Sequence, residues 1–238
     1  MTAPIRRPAI LDIGCGEGIK IQRFNPEGTY VGVDLDFQSL QHIRERKPDG
    51  LAALARAEEL PFREGLFDEI HAYDVLEHVQ DFERSCAQIS RCMRTGGMLV
   101  IEVPHHRSEA VLLRAHPEYW KEISHRRFVR LQDITTSFGA FRVRRVQKKR
   151  GVQHLFLLYH FRRGGRITSE RGACSNARHS VERIVSIFDE DYLETYVRQK
   201  HAFWSWMFVP ILVCAYIIGK GISAVAPKTL RVEMSKER

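Results

Sequence analysis

The sequence predicts an α/β fold: a doubly wound, mostly parallel seven-stranded sheet, an antiparallel last strand pair and a C-terminal helical extension. Three observations predict it. Short apolar runs alternate with helix-length stretches through the first 104 residues. The first of these runs enters a glycine-rich turn. Beyond residue 140 the pattern changes to two β-rich runs joined by a basic turn.

The runs follow in order. AILDI (9–13) ends at Gly14 and reads as a buried strand. YVGVD (30–34), the weaker 51–55, FDEIHAY (67–73) and MLVIEV (98–103) are the next four. Phe37–Arg46 and Phe82–Arg94 are helix-length, and Val75–Val79 is expected to start a helix carrying Glu77 and His78. Residues 141–146 and 152–161 form the antiparallel pair. The expected organisation is a ligand-binding domain over 1–161, with 105–130 as a substrate cap, then a basic loop over 162–179 and a helical extension over 180–238.

Composition narrows the function classes. Of 238 residues, 44% are hydrophobic and 28% charged, so the chain can build a core and is not a disordered tract. Five cysteines (15, 86, 92, 174 and 214) include no CxxC pair, which fits a reduced compartment better than a disulfide framework. The opening residues lack a secretory-signal pattern. No HExxH or paired CxxC points to a metal, and His105 and His106 would point apart if extended.

Charge is divided unevenly. Residues 1–104 hold 12 Lys/Arg against 17 Asp/Glu, a balance of −5. Residues 105–238 hold 25 against 12, a balance of +13. Such a split offers the second part to something anionic, whether lipid, phosphorylated substrate or nucleic acid. The densest run, Arg142–Arg150, has six basic residues in nine. A solvated strand face and turn is the plain alternative.

The glycine turn carries the sharpest chemistry. Asp12, Gly14, Gly16 and Gly18 stand in LDIGCGEG (11–18), and Asp34 closes the next strand 20 residues after Gly14. Glycine lets a ligand approach the backbone, and an acid at 34 can accept both hydroxyls of a ribose. The dinucleotide fingerprint would need a third glycine at 19, where Ile19 stands. Asp12 would repel a pyrophosphate and attract a cation. S-adenosylmethionine, with its sulfonium and ammonium, suits this turn better than NAD.

LDIGCGEG (11–18), VGVDLD (31–36), AEELPF (57–62), FDEIHAYDVLEHV (67–79) and RTGGMLVIEVP (94–104) together resemble class I S-adenosylmethionine-dependent methyltransferases of the small-molecule, lipid and sugar group. The resemblance implies a Rossmann-like methyltransferase fold. It implies that the three glycines line the methionine part, that Asp12 helps hold the loop and the ammonium, and that Asp34 takes the ribose. Leu35, Ala57, Glu58 and Asp74 complete the implied cofactor site. Arg56 departs from the acid that the family often has before AEELPF. Few residues precede the first strand, so a lid other than an N-terminal helix is expected.

Ligands of open parallel sheets sit at the carboxyl ends of the strands. The acceptor is therefore expected between the loop at Asp74 and the loop at His105-His106. Methyl transfer needs alignment and, for a hydroxyl acceptor, a base. His105, His125 and Asp74 are the candidate catalytic residues, with His105 first because it follows the fifth strand and His78 packing near the cofactor. His106, Tyr119, Trp120, Arg126 and Arg127 are the candidate substrate contacts.

Ala202–Gly219 is 18 residues without a charge. As a helix it would be roughly 27 Å long, just short of a bilayer core of roughly 30 Å. Pro210 would kink it, and basic residues flank it on both sides. The expectation is a segment that dips into or lies on a membrane, with a transmembrane span and a buried helix as alternatives. The expected function is O-methylation of a sugar hydroxyl on a lipid-linked or membrane-bound glycan at the cytoplasmic face. The alternatives are N-methylation of a phospholipid amine, RNA methylation through 142–150, and a binding module without catalysis.

Overall fold

A computed structural model describes residues 6–149, except 19, 21–23, 25 and 26, together with 227 and 229–237. The expected strand at 152–161, the basic loop at 162–179, the helix at 180–200 and the apolar segment 202–219 lie outside the described residues. The chain divides into two compact units. The first comprises 1–104, 126–147 and 230–238; the second comprises 105–125 and 148–229.

The first unit holds a seven-stranded sheet in the order β3-β2-β1-β4-β5-β7-β6. Its strands are β1 (Ala9–Ile13), β2 (Thr29–Asp34), β3 (Leu51–Leu54), β4 (Phe67–Tyr73), β5 (Met93–Pro104), β6 (Phe141–Lys149) and β7 (Thr229–Lys236). Pairings β1–β2, β1–β4, β2–β3 and β4–β5 are all parallel. Both faces of β1 are covered, which is why AILDI reads as a continuous apolar run. Leu11, Ile13, Ile70, Ala72, Leu99 and Ile101 form the core on one face. Ile10, Tyr30, Tyr73 and Val100 form a smaller cluster on the other, with Leu40 and Ile43 of a helix.

That helix is α1 (Phe37–Arg46), and Asp36 caps it by accepting from the Gln38 N–H. Helix α2 (Phe82–Cys92) starts at Asp81, whose side chain accepts from the Arg84 N–H. Its buried residues Phe82, Ser85, Cys86, Ile89 and Cys92 recur at helical spacing and make its core-facing stripe. Helix α5 (Leu131–Ser137) packs beside it, with the Ser137 hydroxyl donating to Glu83. Val75–Val79 is a hydrogen-bonded turn rather than the expected helix start.

The last strand is the main departure from expectation. Residues 229–236, expected within the helical extension, form β7. Leu230, Val232 and Met234 are buried while Arg231 and Glu233 alternate with them, a period of two. A strand between β5 and the edge strand β6 buries these three apolar side chains at a period of two, which a helix of the same residues would spread around its circumference. The Glu237 N–H donates to Ala140 O, so the end of β7 meets the start of β6 and the two strands run antiparallel. The sheet is thus mixed and seven-stranded.

The second unit contains α3 (His106–Ala115) and α4 (Tyr119–Ile123). Leu112 and Tyr119 pack together, with Trp120 and Ile123 against them. The buried Ser108 hydroxyl donates to Pro227 O at 2.6 Å and ties α3 to residues far along the chain. Among the described residues no helix is long and apolar enough to cross a membrane.

Candidate cofactor and acceptor sites

The glycine turn is built against β2. Gly14 and Cys15 N–H groups donate to Val33 O at 2.8 and 3.1 Å. The Gly16 N–H donates to Asp34 Oδ2 at 2.8 Å, and the Asp36 N–H to Asp34 Oδ1 at 2.9 Å. One carboxylate thereby clamps the turn to the end of β2. Its two oxygens have lone pairs left for the hydroxyls of a ribose. Leu35, the next residue, is 63% exposed and offers an apolar face at the same edge.

Gly14, Gly16 and Gly18 all have positive φ, at 66°, 49° and 74°. The reasons for glycine differ between them. A Cβ on Gly14 would lie 2.3 Å from Val75 Cγ2, so the turn packs directly on the loop after β4. A Cβ on Gly16 would meet nothing within 4 Å, so there is room above it for a ligand. Gly14→Ala is expected to cost about 2–4 kcal/mol from left-handed strain and overpacking together. Thermal unfolding and cofactor titration check this, and an unchanged melting temperature would contradict the packing.

Asp12 lies under the turn, 2% exposed, and accepts from the Tyr30 hydroxyl at 3.0 Å. Burial pushes its carboxyl up to about 7; the Tyr30 bond and Lys20 oppose that, and Asp34 adds to it. Asp74 stands where β4 ends, itself at positive φ (57°), an uncommon conformation for a residue with a side chain. Its N–H donates to Glu102 O, and Lys20 Nζ lies 3.5 Å from its carboxylate and 4.6 Å above the Tyr73 ring. Ala57 is buried. The Glu58 carboxylate accepts from the Gln80 and Asp81 N–H groups, and Arg84 donates to its carbonyl, so this side chain holds the loop before α2. Asp12, Asp34 and Asp74 cluster around the turn with Lys20 the nearby cation, a donor set that fits a cationic, ribose-bearing cofactor and not a pyrophosphate.

Arg126 and Arg127 also belong to this unit. The Arg126 N–H donates to Glu77 O. Arg127 donates to Val79 O and Gln80 O, with its guanidinium 5.8 Å from the Phe82 ring. Arg127 therefore buttresses the 79–82 segment.

The remaining candidates lie in the second unit. His105 caps α3: its Nδ1 accepts from the Arg107 N–H at 3.3 Å. Burial lowers its pKa to about 4, with His106, Lys148 and Arg107 adding to the effect. His106 starts the helix, so the two rings stack at 4.5 Å instead of pointing apart. Tyr119 is buried and Trp120 half-buried on α4. His125 follows Ser124, whose left-handed φ of 61° ends α4. The His125 N–H donates to Trp120 O, and its ring Nδ1 lies 2.8 Å from Glu109 Oε2. The Trp120 indole donates to the same oxygen at 3.0 Å, and the Tyr119 hydroxyl to Glu109 Oε1 at 3.5 Å.

Glu109, Tyr30 and Lys20 are functional candidates that sequence reasoning missed. Glu109 sits in an ordinary helical stretch, SEAVLL, and only its burial and its three neighbours distinguish it. Tyr30 stands in a strand buried on both faces, so its sequence pattern gives no signal for its hydroxyl.

Comparison with known proteins agrees with this geometry. A methyltransferase domain family profile matches residues 11–101. A Mycobacterium tuberculosis protein carrying an S-adenosylmethionine-dependent methyltransferase name is 30% identical over 97 residues, 40% of this chain and 35% of that protein. The human mitochondrial arginine-hydroxylase NDUFAF5 is 31% identical over 99 residues, 41% of this chain and 29% of that protein. The chain thus spans about a third of the length of these curated relatives. The YcgJ protein of Bacillus subtilis superimposes with a TM-score of 0.57 at 14% identity, covering 98% of this chain and 93% of that one, which shows the fold. S-adenosylmethionine is the cofactor in the name of the Mycobacterium relative. Residues 11–101 are thus similar to a methyltransferase domain, set in a fold shared with solved methyltransferase structures.

Proposed function

We propose that the protein transfers a methyl group from S-adenosylmethionine to a sugar hydroxyl of a lipid-linked or membrane-bound glycan, at the cytoplasmic face of a membrane. The observation that carries the methyl-transfer reading is the open glycine turn clamped by Asp34. When bound, S-adenosylmethionine supplies an activated methyl carbon. Asp34 would hold its ribose, and Gly14, Gly16 and Gly18 would lie along its methionine part. Asp12 would balance its ammonium from beneath. A hydroxyl acceptor must lose a proton, and a cap histidine is suited to take it near neutral pH.

The basic edge of the sheet supports an anionic acceptor or surface. β6 ends the sheet, and Arg142, Arg144, Arg145 and Lys148 are exposed along it. Val143 and Val146, 38% and 40% exposed, alternate with them, and no aromatic ring interrupts the run for a base to stack on. Such a strip suits lipid phosphates better than single-stranded RNA. The segment 202–219 would add apolar anchoring.

The test is transfer of labelled methyl from S-adenosylmethionine into a membrane extract, followed by solvent partition and mass spectrometry. Label is expected on a glycan-bearing lipid. Label on a phospholipid amine would replace the O-methyl reading with N-methylation. Label only in added RNA would overturn the membrane reading altogether.

A further inference from the structure

We propose that Lys20 binds the methionine carboxylate of S-adenosylmethionine, at the seam between the glycine turn and the end of β4. The proposal rests on the cofactor reading above. It accounts for the one charge of that ligand which the acids around the turn cannot match.

S-adenosylmethionine carries two positive groups and one negative group at its methionine end. The sulfonium and the ammonium suit Asp12, Asp34 and Asp74. The carboxylate is repelled by all three, so it needs a donor or a cation of its own. In a phosphate-binding loop the backbone N–H groups of the turn meet the anion. Here they are committed elsewhere. Gly14 and Cys15 donate to Val33 O, Gly16 to Asp34 and Gly18 to Cys15 O. These four groups tie the turn to itself and to β2, which leaves the anion to a side chain.

Lys20 is placed for that task. It follows Gly18 by two residues, and its ammonium reaches the end of β4. Lys20 Nζ lies 4.6 Å above the Tyr73 ring and 3.5 Å from Asp74 Oδ2. Gly14 packs on Val75 at the same seam. The Lys20 charge also acts on Asp12 beneath the turn. An aromatic face holds an ammonium in place without neutralising it. The Asp74 contact is longer than the roughly 2.7–2.9 Å of a tight charge-assisted bond. Both side chains are partly exposed, at 32% and 51%, and an exposed pair of this kind contributes little. The Lys20 ammonium can therefore turn to a second carboxylate at small cost. The other cation over Tyr73 is committed: Arg231 lies 5.8 Å from that ring, 3.1 Å from Glu233 and 3.9 Å from Glu102.

Lys20 thus reads the ligand by charge. A ligand that keeps the carboxylate gains the contact. A ligand that has lost the carboxylate and kept the amine brings only positive charge towards the ammonium, and is disfavoured.

The experiment is calorimetric titration of the full chain with three ligands. They are S-adenosylmethionine, S-adenosylhomocysteine, which keeps the carboxylate and lacks the sulfonium, and decarboxylated S-adenosylmethionine, which keeps the sulfonium and lacks the carboxylate. The wild-type chain is expected to bind the decarboxylated ligand at least tenfold more weakly than S-adenosylmethionine. Lys20→Gln is expected to lose at least tenfold for both carboxylate-bearing ligands and to bind the decarboxylated one no more weakly than wild type does. Lys20→Arg, which keeps the charge, should recover part of the loss. Equal weakening of all three ligands in Lys20→Gln would mean that Lys20 only supports the turn, and would overturn the proposal. Equal affinity of the wild-type chain for S-adenosylmethionine and its decarboxylated form would also overturn it, and that measurement stands even where Lys20→Gln does not fold. Either result leaves the cofactor assignment intact. No binding of any of the three ligands by the wild-type chain would overturn the cofactor reading, and the role of Lys20 with it.

Discussion

Asp34→Ala is expected to weaken S-adenosylmethionine binding at least ~100-fold. Asp34 has two tasks, and alanine removes both. Its carboxylate accepts from the Gly16 and Asp36 N–H groups, which fixes the turn to the end of β2. It is also the acid expected to take the ribose hydroxyls. Hydrogen bonds to a charged group contribute roughly 1.5–3 kcal/mol each, so losing two to the ribose alone costs roughly 3–6 kcal/mol. Calorimetric titration of the cofactor measures the loss. Asp34→Asn keeps one acceptor oxygen and should fall between the two. Affinity within tenfold of wild type for Asp34→Ala would show that the ribose is held elsewhere.

Asp12→Asn is expected to separate stability from binding. Burial raises the Asp12 carboxyl from 3.8 to about 7. That makes the ionised form on the order of 4 kcal/mol less favourable in the folded chain than in the unfolded one. The folded pKa lies above the unfolded one, so this group's contribution to stability is fully present below about 3.8. It is lost progressively as pH rises through about 7. Asparagine cannot ionise, so without cofactor the variant should melt about 5 °C or more above wild type at pH 8, and the difference should shrink towards pH 4. Cofactor binding should respond in the opposite sense. A cationic ligand favours the ionised carboxylate, so wild-type affinity should rise between pH 6 and 8 with release of a proton. The asparagine variant should bind weakly and without that slope. Parallel pH profiles of affinity for the two chains would sink the role of Asp12 as the counter-charge.

Much of the cofactor half was legible in the residues. GxGxG after a buried strand, with an acid closing the next strand, has few physical solutions. The glycines are needed where φ is positive or a neighbour is close, and both conditions hold at Gly14. α1 and α2 were legible for the same local reason: each has an aspartate cap at its start, and α2 shows a stripe at helical spacing. Each of these signals lies within a few residues of the structure it determines.

The rest of the structure depends on contacts that are distant in sequence. In sequence β7 reads as part of the helical extension, and its alternation of Leu230, Val232 and Met234 gains meaning only where a gap exists beside β5. Nothing in the local sequence tells that the ring of His105 caps a helix while that of His125 meets a carboxylate. The difference is set by Arg107 on one ring and by Glu109, 16 residues away, on the other. Sequence alone determined the domain class, the cofactor chemistry and the residues of the turn, because short-range geometry and charge suffice for them. Only the tertiary structure decided which strand completes the sheet and which groups the rings of His105 and His125 meet, because those partners are brought together by packing and not by neighbouring residues.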